Sequence, residues 1–157
     1  MIDLSDIQWE QCKANYTNGA TVARLLKQAY ADAPVDHWYD ALFQELCHQY
    51  TVSESAYLAA PHLVHLARTK LHLRKSLLIL LGACHAFSDH AVADNNSLET
   101  QVNWVQSAQE AVPLILDMLA ERQPSSADLL YLLVSLAACS GYPDLARALE
   151  SLDYELT

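Results

Sequence analysis

Residues 46–67 read LCHQYTVSESAYLAAPHLVHLA. Three of the seven histidines, one of the four cysteines and a proline fall within this stretch. It is either a chemical site or one helical hairpin of a scaffold, and the spacing favours the hairpin. Thr51-Val52-Ser53-Glu54 fits a capping box, with the Thr51 hydroxyl meeting the amide of Glu54 and the Glu54 carboxylate reaching back. A new helix then starts soon after the preceding one stops, which predicts an antiparallel pair. Along the second helix Ala56, Ala60, Leu63 and Ala67 keep the i, i+4, i+7, i+11 spacing of one buried face. Three of these are alanine, so a partner helix can approach closely.

Upstream, Pro34 opens a helix predicted to run to about His48, with Trp38, Leu42 and Leu46 on one stripe and Tyr39 and Phe43 beside it. Before that come a short piece near residues 5–14, punctuation at Asn18-Gly19 and a helix over about 20–31. Downstream, the helix over about 71–87 is apolar nearly all round from Leu77 to Ala83 and should lie at the centre of the molecule. A polar loop at 88–97 leads to a helix over 98–121, interrupted at Pro113. Ser125 or Ser126 caps a helix to about Ser140, Gly141 stops it, and Pro143 opens the last one, to about Leu152.

A degenerate repeat runs through these segments. Leu46-Cys47-His48, Ala83-Cys84-His85 and Ala138-Cys139-Ser140 each end an apolar helix. The helices that follow the first two carry related prolines, in AAPHLVHLA at 59–67 and AVPLILDMLA at 111–120. The expected architecture is a single all-α domain over 1–157, a short right-handed α-α superhelix of HEAT or armadillo type with about seven helices. Residues 1–33 form N-terminal cap helices, and helix pairs occupy 34–68, 71–121 and 125–152.

Composition narrows the class. With 52% hydrophobic and 18% charged residues the chain can bury a real core, and only three glycines argue against a many-stranded β fold. Its longest apolar run, Leu77 to Cys84, is too short to span a bilayer. The N-terminus is acidic where a signal peptide is basic, so a cytoplasmic location is expected, with the scattered cysteines as reduced, buried thiols. Nineteen acidic against nine basic residues give a net charge of −10, the wrong sign for holding a phosphate backbone. The only basic concentration is Arg68, Lys70, Arg74 and Lys75. An acidic surface instead suits a basic protein partner.

Residues 38–67 as a whole resemble a segment of small bacterial HEAT-like proteins. The shared features are Trp38, the YDALFQEL helix, Leu-Cys-His-Gln, a short turn containing valine, Ala-Ala-Pro and Leu-Val-x-Leu-Ala. Tyr50 stands where that segment has a glycine. The resemblance implies a helical-repeat scaffold, and some such proteins resemble immunity proteins that neutralise a secreted toxin by binding it.

Chemical readings of the same residues compete with this one. His62 and His65 are predicted on the outer face of their helix, about 60° apart, where a metal would need ligands from elsewhere. No HExxH, ExxH or cysteine pair accompanies them, so no metal and no cofactor is expected. The Cys-His dipeptides at 47–48 and 84–85 cannot activate each other within a helix, since neighbours point about 100° apart. No phosphate loop, nucleophile elbow or dinucleotide fingerprint is present, and no catalytic residue is assigned. The expected function is non-enzymatic protein binding, with Tyr57, His62, His65, Glu99, Trp104 and Asp117 as candidate contacts and Trp9 and Tyr142 as further aromatic ones. The alternatives are a lyase-like enzyme with a histidine site on the same scaffold and, less supported by charge, a nucleic-acid-binding repeat.

Overall fold

The structure, a computed structural model, describes residues 1–88, 96–121 and 125–152. Most of the loop predicted over 88–97 lies outside the described residues. The chain is mostly helical, with helices α1 (Gln8–Gln11), α2 (Gly19–Tyr30), α3 (Tyr39–Leu46), α4 (Glu54–Thr69), α5 (Arg74–Phe87), α6 (Leu98–Glu121), α7 (Ser126–Cys139) and α8 (Pro143–Ser151). Between α3 and α4 lies a two-stranded antiparallel hairpin, β1 (Cys47–His48) and β2 (Thr51–Val52).

Punctuation in the second half behaves as its residue types dictate. The Ser125 hydroxyl accepts from the Asp128 amide and caps α7. Gly141, at φ 85°, ends α7, and Pro143 sits in the first turn of α8. Pro113 lies inside α6 without ending it, contrary to the predicted interruption.

Two expectations around the opening stretch need correction. The helix predicted from Pro34 to His48 is a 3-10 turn over Val35–His37 followed by the shorter α3. Trp38 separates them: its ring is fully buried, its indole N–H donates to the Ala33 carbonyl at 3.1 Å, and its backbone is non-helical at φ −140°. The capping box at Thr51–Glu54 does not form, because Thr51 belongs to β2 opposite His48. Ser53 takes the N-cap position of α4, and the Glu54 carboxylate accepts from the distant Lys13 amide at 3.1 Å.

Gln49 and Tyr50 form the two-residue hairpin turn at φ 45° and 66°. Such a turn needs the left-handed region twice, which favours asparagine and glycine. That explains why a glycine suits the position of Tyr50. Tyr50 is retained here with its ring 4.5 Å from that of Phe87. Gln49 is exposed, so Gln49→Gly should relieve strain without losing a packed side chain. A gain of about 0.5–1 kcal/mol in urea denaturation is expected, and a loss would show that the turn is not strained.

Packing places the core between α4, α5, α6 and α7. Helix α5 lies against α7 and α4, α4 against α6 and α2, and α7 against α6 and α8. Ala56, Ala60, Leu63 and Ala67 are all buried, as their spacing predicts. Burial extends almost all round α4, however, and α4 shares the centre with α5. Polar ties join the elements: the Tyr39 hydroxyl donates to the Ser76 carbonyl at 2.9 Å, and Arg147 donates to the Ala86 carbonyl at 2.6 Å. Near the N-terminus the buried Glu45 carboxylate accepts from the amides of Tyr16 and Thr17, pinning the α1–α2 connection to α3.

Candidate functional site

Three of the six candidate contact residues are interior, which corrects their expected exposure. Tyr57 and Trp104 are 1% and 8% exposed, with ring centroids 4.2 Å apart. The His85 ring lies 3.8 Å from Trp104, so one aromatic junction joins α4, α5 and α6. His85 Nε2 has no protein hydrogen-bond partner, and burial holds this imidazole down at about 3. Trp9 is also interior, whereas Tyr142 is exposed.

His62 is the third correction. It points inward, with Nε2 donating to the Ile2 carbonyl at 2.9 Å and Nδ1 accepting from the Tyr30 hydroxyl at 3.0 Å. Its ring lies against Trp9 and Tyr30. Burial is the largest cause of its low value, about 4. Both ring nitrogens are engaged in tying the N-terminal segment to α4 and α2, so neither is open to a metal. His65, one turn on, is exposed and lines a shallow polar cleft with Arg68, Asn103, Gln106 and Glu110. The structure therefore separates the two histidines that the sequence places side by side.

Three of the four cysteines make a cluster that their spacing conceals. Cys84 exchanges a sulfur hydrogen bond with Cys47 and lies near Cys139, and all are free thiols. That hydrogen bond, with burial second, pushes Cys84 well above the usual thiol range and lowers Cys47. These sulfurs fill a tight contact in the core. Among the described residues no group of three or more His, Cys, Asp or Glu could hold a metal ion.

Charge arrangement is more telling. The basic concentration is engaged internally: Arg68 with Glu110 at 3.0 Å, Lys70 with Asp32 at 2.5 Å, Lys75 with Asp128 at 2.9 Å, and Arg74 donating to the Ala67 carbonyl. Such exposed pairs add little stability, but they leave no basic groove at this turn. Glu99 and Asp117 are exposed on α6, as expected of contact residues.

What sequence reasoning missed is the apolar surface beside them. Leu98, Val102, Val105 and Leu116 of α6 are exposed by 78%, 55%, 54% and 48%. Next to them a cleft of about 480 Å³ opens between α6 and the C-terminal end of α7. Trp104, His85, Ala108, Val112, Ala138 and Cys139 are among its lining residues. The apolar residues of α6 were visible in the sequence, but a helix with apolar residues on several faces does not declare which face is covered.

Compared with known proteins, the chain matches no family, no curated protein and no solved structure. No helix among the described residues is long and apolar enough to cross a membrane.

Proposed function

We propose that this chain is a non-enzymatic, cytoplasmic protein-binding module that docks a basic partner through its acidic surface. The observation that carries this reading is the row of exposed apolar side chains on α6 bordered by Glu99 and Asp117. Monomeric surfaces seldom expose contiguous apolar patches without a binding role, and carboxylates at the rim select the sign of the partner. The scaffold we propose is a short right-handed α-α superhelix of about three helix pairs. Its support is the packing of three pairs of helices two apart in the chain, α2 on α4, α4 on α6 and α5 on α7, as in a two-layered stack. With the resemblance of residues 38–67, this favours an immunity-type protein that covers a basic surface of a toxin.

The test is direct titration against the protein encoded beside this one, both purified. Affinity should fall at least about tenfold between about 50 and 300 mM salt, as screening removes attraction between opposed charged surfaces. The double variant Glu99→Lys, Asp117→Lys should weaken binding further while its thermal unfolding stays unchanged. Salt-independent binding, or none, would count against the reading.

A further inference from the structure

The surface of α6 has a regular form. Leu98, Val102, Val105, Gln109, Val112 and Leu116 are separated alternately by four and three residues. At about 100° per residue they fall within an arc of about 80°, the seam of a helix that packs against another helix. Leu98, Val102, Val105, Gln109 and Leu116 are exposed and Val112 is half-buried. Gln109, polar in the middle of an apolar seam, is the kind of residue that sets register in helix pairing.

The two edges of this seam differ. Along one edge stand Glu99, Gln106, Glu110 and Asp117. Glu110 is paired with Arg68, so the outward-facing charge there is that of Glu99 and Asp117. The other edge falls into the cleft beside Trp104 and His85, whose described lining residues carry no carboxylate, lysine or arginine. Resting on the protein-binding reading above, we infer that this seam receives one amphipathic helix of the partner protein. That helix carries lysine or arginine along a single flank, facing Glu99 and Asp117. A bulky apolar side chain from its other flank enters the cleft.

A second copy of this chain is the poorer occupant. A two-fold pairing of seams would bring the Glu99 end of one α6 against the Asp117 end of the other, adding like charge between two chains of net charge −10. A partner helix with a basic flank removes that repulsion.

The probe is a synthetic helical peptide with a leucine and isoleucine seam, lysines along one flank and phenylalanine at the centre of the other. One control carries the lysines on the opposite flank, and another has a central proline that prevents the helix. Binding is read by fluorescence anisotropy and by amide shift changes, which should follow α6. The first peptide should bind at least about tenfold more tightly than either control. Val105→Glu, or Val102→Glu as a second exposed position, should remove that preference without altering thermal unfolding. Equal binding of all three peptides, or binding indifferent to both variants, would overturn the inference. So would a concentration-dependent dimer in sedimentation that Val105→Glu abolishes. These failures are separable from failure of the broader reading, which shows as loss of all salt-sensitive binding to the whole partner protein.

Discussion

Lowering the pH from about 7 to 5 is expected to remove about 4 kcal/mol of stability, through His62 and His85. Both are neutral in the folded chain, with values of about 4 and about 3, against 6.5 for the free side chain. The unfolded chain therefore binds more protons over that interval. The stability these groups contribute is fully present above about pH 6.5 and is lost as pH falls, levelling off below the folded values. At pH 5 each contributes a loss of about 2 kcal/mol. The groups around His62 bear on the size: the N-terminal ammonium and His65 disfavour its protonation and Asp3 favours it, all subordinate to burial. Hydrogen bonds from Ser5, Lys70 and Lys75 hold the carboxyls of Asp3, Asp32 and Asp128 below the usual carboxylate range, so they do not blur this window.

The two histidines are told apart by substitution. His85→Phe keeps a ring against Trp104 and removes a buried nitrogen with no partner. Stability at pH 7 should be held or raised, and about half of the pH dependence should disappear. His62→Phe strips partners from the Tyr30 hydroxyl and the Ile2 carbonyl, so it should lower stability at pH 7 while also flattening the profile. Urea denaturation at pH 7, 6, 5 and 4 measures both. A wild-type chain whose midpoint is constant from pH 7 to 5 would refute the assignment.

How far the sequence could be read follows from the kind of signal each element leaves. Helix ends after residue 125 rest on local chemistry: a serine hydroxyl at Ser125, a left-handed glycine at Gly141, a first-turn proline at Pro143. Such signals need no tertiary context. The hairpin at 47–52 left none, because its turn forces Gln49 and Tyr50 into a conformation that neither residue type advertises. The break before α3 is likewise tertiary, arising from Trp38 buried with its indole held by Ala33. Faces were harder still. His62 and Trp104 look polar enough for the surface, yet α4 is covered almost all round and α6 buries Trp104 against Tyr57 and His85. Glu99, Asp117 and His65 are exposed as expected, whereas nothing in the sequence marks Leu98, Val102, Val105 and Leu116 as surface rather than core.

Gly82→Ala is expected to destabilise the fold by about 3 kcal/mol or more, although alanine is the better helix former. Helices α5 and α7 cross at Gly82 and Ser135 with no room for a methyl group. A β-carbon at residue 82 would overlap the Oγ, Cβ and Cα of Ser135, the last at 2.5 Å. A flexible side chain could turn aside, but an α-carbon moves only with its helix. The methyl group must therefore push α7 away from α5 and open the core around Leu77, Leu78, Leu81 and Leu132, all fully buried. The gain in helix propensity, about 1 kcal/mol, offsets only part of this. Ser135→Gly in the same chain removes two of the three overlaps and leaves the one with Cα, so rescue should be partial. Denaturation midpoints of the two single variants and the double variant form a cycle. Their coupling should be favourable by about 1 kcal/mol or more. A Gly82→Ala chain as stable as the parent would show that α5 and α7 do not meet at this point.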